Sequence, residues 1–180
     1  MAQKKDIARR YDSSAEIYDN RYKDIQDKKY KEIFSRVDIS GKKAILDVGC
    51  GTGTFLDIIS KSQVNGTKLV GIDLSFEMIK IAHEKNPDID FIVADSDALP
   101  LRDVSFSSVF SVTHLQNLPE PEKTLNEMIR ISMQETLIAI SILRKTWSIE
   151  KLNDLISSTN LQVTNQWSAD VEDIGIICKK

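Results

Sequence analysis

The sequence has 180 residues, of which 41% are hydrophobic and 28% are charged, and its net charge is −3 at neutral pH. These values are typical of a single globular domain that buries its own core, and they exclude a basic field over the whole chain that would attract nucleic acid. No stretch approaches the roughly 18 consecutive apolar residues that a membrane span requires. The first residues have no apolar signal core, so we expect a cytoplasmic protein without membrane contact. Cys50 and Cys178 are too far apart for a metal-ligand pair, and no metal site is expected.

The first forty residues are predicted to be helical. Apolar positions recur there at helical spacing among polar residues, and Ser13 or Ser14 is placed to cap the start of a second helix. Ile39, Ser40 and Gly41 are expected to end this helical region.

Beyond residue 43, apolar runs alternate with amphipathic segments of helical periodicity. The runs predicted to be strands are AILDV, KLVGI, DFIVA, SVFSV, TLIAISIL, LQVTNQWSAD and DIGIIC. Short apolar strands that alternate with helices are typical of a mostly parallel sheet covered on both faces. The segment ADSDALPLRDVSF is broken by Pro100 and is expected to be a loop. The last two runs are nearly adjacent in sequence and must pair antiparallel, so we predict a doubly wound α/β domain with one antiparallel strand near the edge.

The stretch ILDVGCGTGTFL reads as a strand, a glycine-rich turn and the start of a helix. This arrangement is expected to point free backbone N–H groups at a ligand, which Gly49, Gly51 and Gly53 allow to approach closely. A dinucleotide loop has the spacing G-x-G-x-x-G, whereas here Thr54 stands where its third glycine would be. Asp47 precedes the glycines, where it would repel a pyrophosphate and attract an ammonium group. The loop therefore favours S-adenosylmethionine, which carries an ammonium group and no phosphate.

Two further carboxylates follow the next strands. Asp73 lies about twenty residues beyond the loop, where it can accept both hydroxyls of a ribose. Capping of the following helix is the alternative role, and Ser75 can perform it instead. Asp95 can accept from the exocyclic amine of adenine, and the backbone N–H of Ser96 can reach a ring nitrogen. Because the strands are predicted to be parallel, Asp47, Asp73 and Asp95 are expected at one edge of the sheet.

Taken together, these motifs resemble the class I S-adenosylmethionine-dependent methyltransferases, in particular the type 11 and ubiquinone/menaquinone-biosynthesis kind. LDVGCGTG is similar to their first motif, VGIDLS to the second, and ADSDALPLRDVSFSSVFSVTHLQNLPEPEKTLNEMIRI to the third and fourth. The resemblance covers residues 43–143. It implies a Rossmann-like, seven-stranded sheet of order 3-2-1-4-5-7-6, with S-adenosyl-L-methionine as cofactor and S-adenosyl-L-homocysteine as product.

The resemblance also implies the cofactor-binding residues, position by position. YDSSAEIYDNRY is similar to the family's lid segment, so residues 1–40 are implied to form a helical lid or cap and residues 41–180 the methyltransferase domain. The implied cofactor contacts are Tyr11, Tyr18, Arg21, Asp47, Gly49, Cys50, Gly51, Gly53, Asp73, Leu74, Met78, Asp95, Ser96, Ser111 and Val112.

The methyl acceptor is not named by the sequence. His114 is a candidate general base, with a simple polar residue as the alternative, and Gln116 and Asn117 are candidates for orienting the acceptor. Relatives often carry Leu-His-His-Leu where this chain has LQNL. The segment SVTH also lacks the Asp/Asn-Pro-Pro-Tyr/Phe motif, which counts against methylation of planar exocyclic amines or amides. The negative net charge favours a small molecule over RNA or protein.

Several functional classes stay open beside a methyltransferase. A nicotinamide oxidoreductase is disfavoured by Asp47 and by the loop spacing, whereas a non-catalytic S-adenosylmethionine-binding partner protein would need a turnover assay to exclude. No large insertion follows the fourth or fifth predicted strand, so acceptor walls must come from the N-terminal helices, the loop 114–121 or another chain. We therefore also consider an RNA or translation-component methyltransferase that acts with a small zinc-binding activator subunit, and a homodimer.

Overall fold

A computed structural model of the chain describes residues 2–62, 66–168 and 172–180. The helices are α1 Ala2–Asp12, α2 Ala15–Phe34, α3 Thr54–Lys61, α4 Phe76–Lys85, α5 Pro121–Ile131 and α6 Ile149–Ser157. The strands are β1 Ala44–Val48, β2 Lys68–Asp73, β3 Asp90–Val93, β4 Phe106–Val112, β5 Ser132–Leu143, β6 Gln162–Trp167 and β7 Asp173–Lys179. A 3₁₀ turn spans Leu115–Asn117. Among the described residues, no helix combines the length and the apolar character that crossing a membrane requires.

The strands form one seven-stranded sheet in the order β3-β2-β1-β4-β5-β7-β6. Neighbouring strands from β3 to β5 are parallel, and β7 is antiparallel to both β5 and β6. The predicted fold class, strand order and antiparallel strand near the edge are therefore confirmed. The predicted loop between β3 and β4 is confirmed too, because no helix lies between these strands. Of the predicted strand 161–170, residues 169 and 170 lie outside the described residues.

The sheet separates two apolar clusters, and neighbouring residues of β1 point into opposite ones. Ile45 packs with residues of α2 and α3, whereas Leu46 packs with residues of α5 and α6. Both side chains are fully buried. This two-sided burial is the physical reason that β1 reads as a continuous apolar run rather than an alternating one.

The helical region ends earlier than predicted. Helix α2 stops at Phe34 rather than near Ile39–Gly41. The N–H groups of Arg36 and Val37 both donate to the carbonyl of Ile33, which tightens the chain into a turn. Phe34 then stacks on Phe55 of α3, with ring centroids 5.0 Å apart, and this contact holds the end of α2 against the sheet.

The junction between α1 and α2 also differs from the expected cap. Ser14 precedes α2 at the cap position, but its hydroxyl accepts no N–H from the helix that follows. It donates instead to the carbonyl oxygens of Arg10 and Tyr11 at the end of α1. The serine therefore ends the first helix rather than starting the second.

Candidate active site

The glycine-rich loop after β1 is braced against the end of β2. The N–H groups of Gly49 and Cys50 donate to the Ile72 carbonyl at 2.7 and 2.9 Å, and the N–H of Gly51 donates to Asp73 Oδ2 at 2.9 Å. Gly49 and Gly51 have φ values of +81° and +53°, a region that disfavours side chains. The expectation that these N–H groups are free for a ligand is wrong, because the protein itself uses them. This bonding removes the donors with which a pyrophosphate would be held at these positions.

Asp47 is a buried acid beneath this loop. Its residue is 2% exposed, and its Oδ1 has no hydrogen-bond partner among the described residues. Burial, and secondarily the negative charge of Asp73, raise the pKa of Asp47 to about 8. An unpaired buried carboxyl is costly, so this position favours either a proton or a cationic partner.

A partly enclosed cavity lies at the carboxyl edge of the sheet beneath α1 and the start of α2. It is walled mainly by apolar side chains and by the ends of β2, β3 and β4. The predicted site residues that line it are Tyr11, Tyr18, Gly49, Gly51, Asp73, Leu74, Met78, Asp95, Ser96, Val112, His114 and Asn117. Of the three carboxylates expected together at this edge, Asp73 and Asp95 line the cavity, whereas Asp47 is buried outside its lining.

Other predicted site residues lie outside the lining of this cavity: Arg21, Asp47, Cys50, Gly53, Ser111 and Gln116. Arg21 is exposed and its guanidinium lies 5.4 Å from the centroid of the Tyr22 ring. Ser111 is fully buried and donates to the Val48 carbonyl, and the Gln116 amide donates to the Thr113 carbonyl at 2.7 Å. Their roles toward a cofactor or acceptor stay predictions.

Asp73 joins the loop to the start of α4. Its Oδ1 accepts the N–H of Ser75 at 2.9 Å, while its Oδ2 accepts the N–H of Gly51. Ser75 caps α4 by accepting the N–H of Met78, which confirms the capping role expected for it. Each carboxylate oxygen offers about two acceptor positions, so Asp73 keeps capacity for the hydroxyls of a ligand.

Charged contacts that the sequence analysis missed hold α1 over the cavity. Lys4 Nζ lies 2.5 Å from both Asp95 Oδ1 and Asp97 Oδ2. Burial works to raise the pKa of Asp95, but the hydrogen bonds from Lys4 and from the Asp97 N–H hold it below its ordinary value. The Asn117 amide also donates to the Tyr11 hydroxyl at 3.3 Å. These contacts join α1 to the loops that follow β3 and β4.

A second set of contacts, also unforeseen, holds the start of α2 against the glycine-rich loop. Thr52 Oγ1 donates to Asp19 Oδ1 at 2.5 Å, and Lys85 Nζ lies 2.7 Å from Asp19 Oδ2. Lys85 also donates to the Thr52 carbonyl. Helix α1 is thus tied to the loops after β3 and β4, and α2 is tied to the glycine-rich loop and to the end of α4.

A buried ion pair supports the far wall of the cavity. Lys29 of α2 lies 2.9 Å from Asp173 at the start of β7, and the two residues are 5% and 1% exposed. Thr113 accepts from Lys29 and donates to Asp173 Oδ2 at 2.6 Å. Thr113 has a φ of +56°, which costs a β-branched residue conformational energy. The ion pair therefore holds a strained residue directly before His114.

Comparison with known proteins identifies the family to which this chain belongs. Residues 45–134, half of the chain, match a family described as a methyltransferase domain. The chain belongs to the class I S-adenosylmethionine-dependent methyltransferases. The matched segment contains the glycine-rich loop, Asp73, Asp95 and His114.

Individual proteins and structures that resemble this chain are also methyltransferases. The demethylmenaquinone methyltransferase of Renibacterium salmoninarum is 41% identical over 88 residues, which are 49% of this chain and 36% of that protein. The chain thus matches little more than a third of that relative's length. A methyltransferase structure from Aquifex aeolicus has a TM-score of 0.74 at 20% identity and covers 83% of this chain and 88% of that one. A structure of the complex between the Haloferax volcanii Trm112 methyltransferase activator and a methyltransferase has a TM-score of 0.78 at 20% identity, with coverage of 94% and 96%.

Removing one member of the buried ion pair should destabilise the protein strongly. We expect Lys29→Met to lower the free energy of unfolding by about 3–5 kcal/mol, because it leaves the Asp173 carboxylate buried without its cation. The double variant Lys29→Met/Asp173→Asn should lose less of this free energy of unfolding than Lys29→Met alone. Urea denaturation measures both effects. The control is Lys68→Met, which breaks an exposed pair with Asp90 and should cost less than about 1 kcal/mol; equal losses for the two single lysine variants would contradict the assignment.

The raised pKa of Asp47 predicts a pH-dependent gain in stability for Asp47→Asn. Between pH about 4 and about 8 the folded protein keeps a proton on Asp47 that the unfolded chain has released, so rising pH favours unfolding of the wild type. The stability of Asp47→Asn relative to wild type should therefore grow by up to about 1.4 kcal/mol per pH unit and level off above pH about 8. Urea denaturation across this range measures the difference. The same substitution at the exposed Asp88 is the control, and a flat difference for Asp47→Asn would refute the buried proton.

Proposed function

We propose that this protein binds S-adenosyl-L-methionine in the cavity beneath α1 and transfers its methyl group to an acceptor, releasing S-adenosyl-L-homocysteine. The observation that carries the proposal is the unpaired, buried Asp47 carboxyl beneath a glycine loop whose N–H groups at 49–51 are already bonded within the protein. Such a site favours a ligand with a cationic amino group and no phosphate. Family membership independently supports the same ligand.

The residues around the cavity fit the parts of this cofactor. Asp47 would attract the ammonium group, Asp73 would accept the ribose hydroxyls, and Asp95 with the Ser96 N–H would receive the adenine. S-Adenosylmethionine supplies an electrophilic methyl group on a sulfonium, so the protein's own tasks are alignment and exclusion of water. We also propose that residues 1–40 act as a lid, since α1 is tied across the cavity through Lys4.

A small molecule is the acceptor class that we favour. The cavity wall includes apolar side chains of α1, among them Ile7 and Ala8, which suit an organic acceptor better than a polyanion. The relative from Renibacterium salmoninarum is named for methylation of a small molecule, demethylmenaquinone. We extend only the general class of acceptor, a small molecule, to this chain.

A cytoplasmic location belongs to the same proposal. The two buried cysteines, Cys50 and Cys178, form no disulfide, which agrees with a reducing compartment.

A second candidate function is methylation of RNA or a translation component with a small activator subunit. The likeness to the chain from the complex with the Haloferax volcanii Trm112 activator spans almost all of both chains. Nearly equal length means that neither chain has a large additional acceptor-binding segment in the superposed region. That similarity of size and fold motivates the partner hypothesis, although at 20% identity the likeness itself extends only to the fold.

Substitution of Asp73 tests the proposed cofactor site. We expect Asp73→Ala to weaken S-adenosylmethionine binding about 10- to 150-fold, because charge-assisted hydrogen bonds worth roughly 1.5–3 kcal/mol are lost. Isothermal titration calorimetry measures the dissociation constant, and the exposed Asp88→Ala serves as control. Unchanged affinity in Asp73→Ala would place the ribose elsewhere. Failure of the wild type to bind S-adenosylmethionine would refute the proposed function as a whole.

The activator hypothesis is tested by purification of the tagged protein from its native host. If the second candidate function holds, a small zinc-containing protein should co-purify in equimolar amount, and methyl transfer to an RNA or protein fraction should depend on it. Mass spectrometry and a radioactive methyl-transfer assay with and without the partner provide the measurements. Full activity of the isolated chain on a small-molecule fraction, with no stable partner, would instead support the first candidate.

A further inference from the structure

The loop between β3 and β4 has two unpaired polar atoms on adjacent residues that line the cavity. Asp95 Oδ1 accepts from Lys4 Nζ and from the N–H of Asp97, whereas no described residue donates to Asp95 Oδ2. The N–H of the next residue, Ser96, likewise has no acceptor within residues 2–62, 66–168 and 172–180. Asp95 and Ser96 both line the cavity. The loop therefore offers one free acceptor and one free donor at adjacent positions.

This pair of groups distinguishes adenine from a base with the opposite edge. Adenine carries a donor, its exocyclic amine, next to an acceptor, the ring nitrogen N1. Hypoxanthine carries a carbonyl oxygen next to an N1–H, which reverses the two roles. A carboxylate oxygen beside a backbone N–H matches the adenine edge and opposes the hypoxanthine edge. Such discrimination requires that the two groups are held in place and do not shift to suit the wrong base.

The Ser96 side chain is fixed by packing next to the loop that follows β4. Ser96 Oγ lies 3.1 Å from His114 Nε2 and 2.9 Å from Thr124 Oγ1, and Ser96 is 6% exposed. The His114 ring in turn lies against the bare backbone of Gly49, where an added Cβ atom would come within 2.3 Å of the imidazole Cγ. The freedom that remains to the loop therefore lies beyond Ser96, toward β4.

Two charged residues of α5 hold the chain at that point. A turn over residues 95–98 closes where the N–H of Ala98 donates to the Asp95 carbonyl at 3.0 Å. The N–H of the next residue, Leu99, donates to Glu127 Oε2 at 2.7 Å, and the Leu99 carbonyl accepts from Arg130 Nη2 at 3.0 Å. Both backbone polar groups of Leu99 are therefore bound by side chains of α5.

The two α5 residues also bind each other and reach further along the loop. Arg130 Nε and Nη2 each donate to the Glu127 carboxylate at 2.7 Å, which is a bidentate pair. These hydrogen bonds hold the pKa of Glu127 below its ordinary value, so its carboxylate is charged at neutral pH. Arg130 Nη1 donates to the Leu101 carbonyl at 2.9 Å and to Asp103 Oδ1. Because the guanidinium is planar and rigid, it fixes these segments of the loop in one geometry.

We infer that Glu127 and Arg130 are positioning residues that hold the turn 95–98 so that Asp95 Oδ2 and the Ser96 N–H select adenine as the base of the cofactor. The inference rests on the proposed methyltransferase function and deepens it, because it assigns base selectivity to two residues outside the lining of the cavity. They act through the backbone of Leu99 rather than through contact with the reacting atoms.

The ratio of two dissociation constants tests the inference in the intact protein. The ligands are S-adenosyl-L-homocysteine and S-inosyl-L-homocysteine, which differ only in the base. We expect the wild type to bind the adenosyl ligand about 30-fold more tightly, because the inosyl ligand loses two hydrogen bonds that are each worth roughly a factor of five. Isothermal titration calorimetry measures both constants. A wild-type ratio near one would overturn the inference.

Arg130→Met should lower this ratio about fivefold, mainly by weakening the adenosyl ligand. The Leu99 carbonyl and the Glu127 carboxylate lose their donor, so the turn is free to shift and one base contact is lost. Reduced stability alone does not change the ratio, since a smaller folded fraction raises both apparent dissociation constants by the same factor. An unchanged ratio would show that Arg130 has only a structural role and would overturn its positioning role.

Arg36→Met is the matched control. Arg36 pairs with Glu32 on α2, and the exposed fractions of these two side chains, 29% and 25%, are close to the 31% and 19% of Arg130 and Glu127. The ratio should be unchanged in Arg36→Met, and an equal fall in both arginine variants would overturn the inference.

Glu127→Gln is a milder second variant that serves if Arg130→Met does not fold. The glutamine keeps an acceptor for the Leu99 N–H but loses the charged pair, so the ratio should fall about threefold. No fall would again overturn the positioning role. Failure of the proposed function has a different signature, because the wild type would then bind neither S-adenosylmethionine nor S-adenosyl-L-homocysteine.

Discussion

The Asp73 carboxylate holds together two chain segments that meet at the carboxyl edge of the sheet. One oxygen accepts from the glycine-rich loop after β1, and the other accepts from the first residue before α4. Because β1 and β2 are parallel and in register, with Asp47 opposite Gly71, the two segments leave the sheet at the same level. The loop conformation, the start of α4 and the buried charge beneath them therefore depend on one side chain. A ligand that binds Asp73 would therefore contact the side chain that also holds the glycine-rich loop.

The site contains more negative charge than the stability of the fold requires. Asp47 has no partner within the described part of the chain, and Asp73 is close enough to raise its pKa further. A protein selected only for stability would replace Asp47 by an apolar or amide side chain. Under the proposed function, the attraction of a cationic ligand would offset the cost of burying this acid. Stability and binding are thus opposed at this position.

The sequence was sufficient for the sheet and for the carboxylates at its edge, because both follow from local patterns. β1 coincides with the predicted run AILDV, since burial on both faces requires a continuous apolar segment. β5 begins at Ser132, before the predicted TLIAISIL, because Ser132 pairs with Phe106 across a register shift that has no local signal. Asp73 and Asp95 were found because parallel strands bring their carboxyl ends together.

The partners of these carboxylates could not be predicted in the same way. Lys4 meets Asp95 from 91 residues away, and Lys29 meets Thr113 from 84 residues away. Such pairs depend on how helices pack over the finished sheet, and nothing in the local pattern marks them. Asp97 was missed for a similar reason, although the repeat Asp95-Ser96-Asp97 places a second carboxylate beside the first. The free N–H groups expected in the loop were wrong because the end of β2 uses them first.

The contact between Gly49 and His114 has a consequence for the history of the family. The glycine is usually explained by the space that a ligand needs, yet here the imidazole ring already fills the position that a side chain would take. Any residue with a Cβ at position 49 therefore requires a smaller residue at position 114. Among homologues, these two positions should vary together rather than independently. The conformation of the glycine-rich loop is then tied to the size of the residue at position 114.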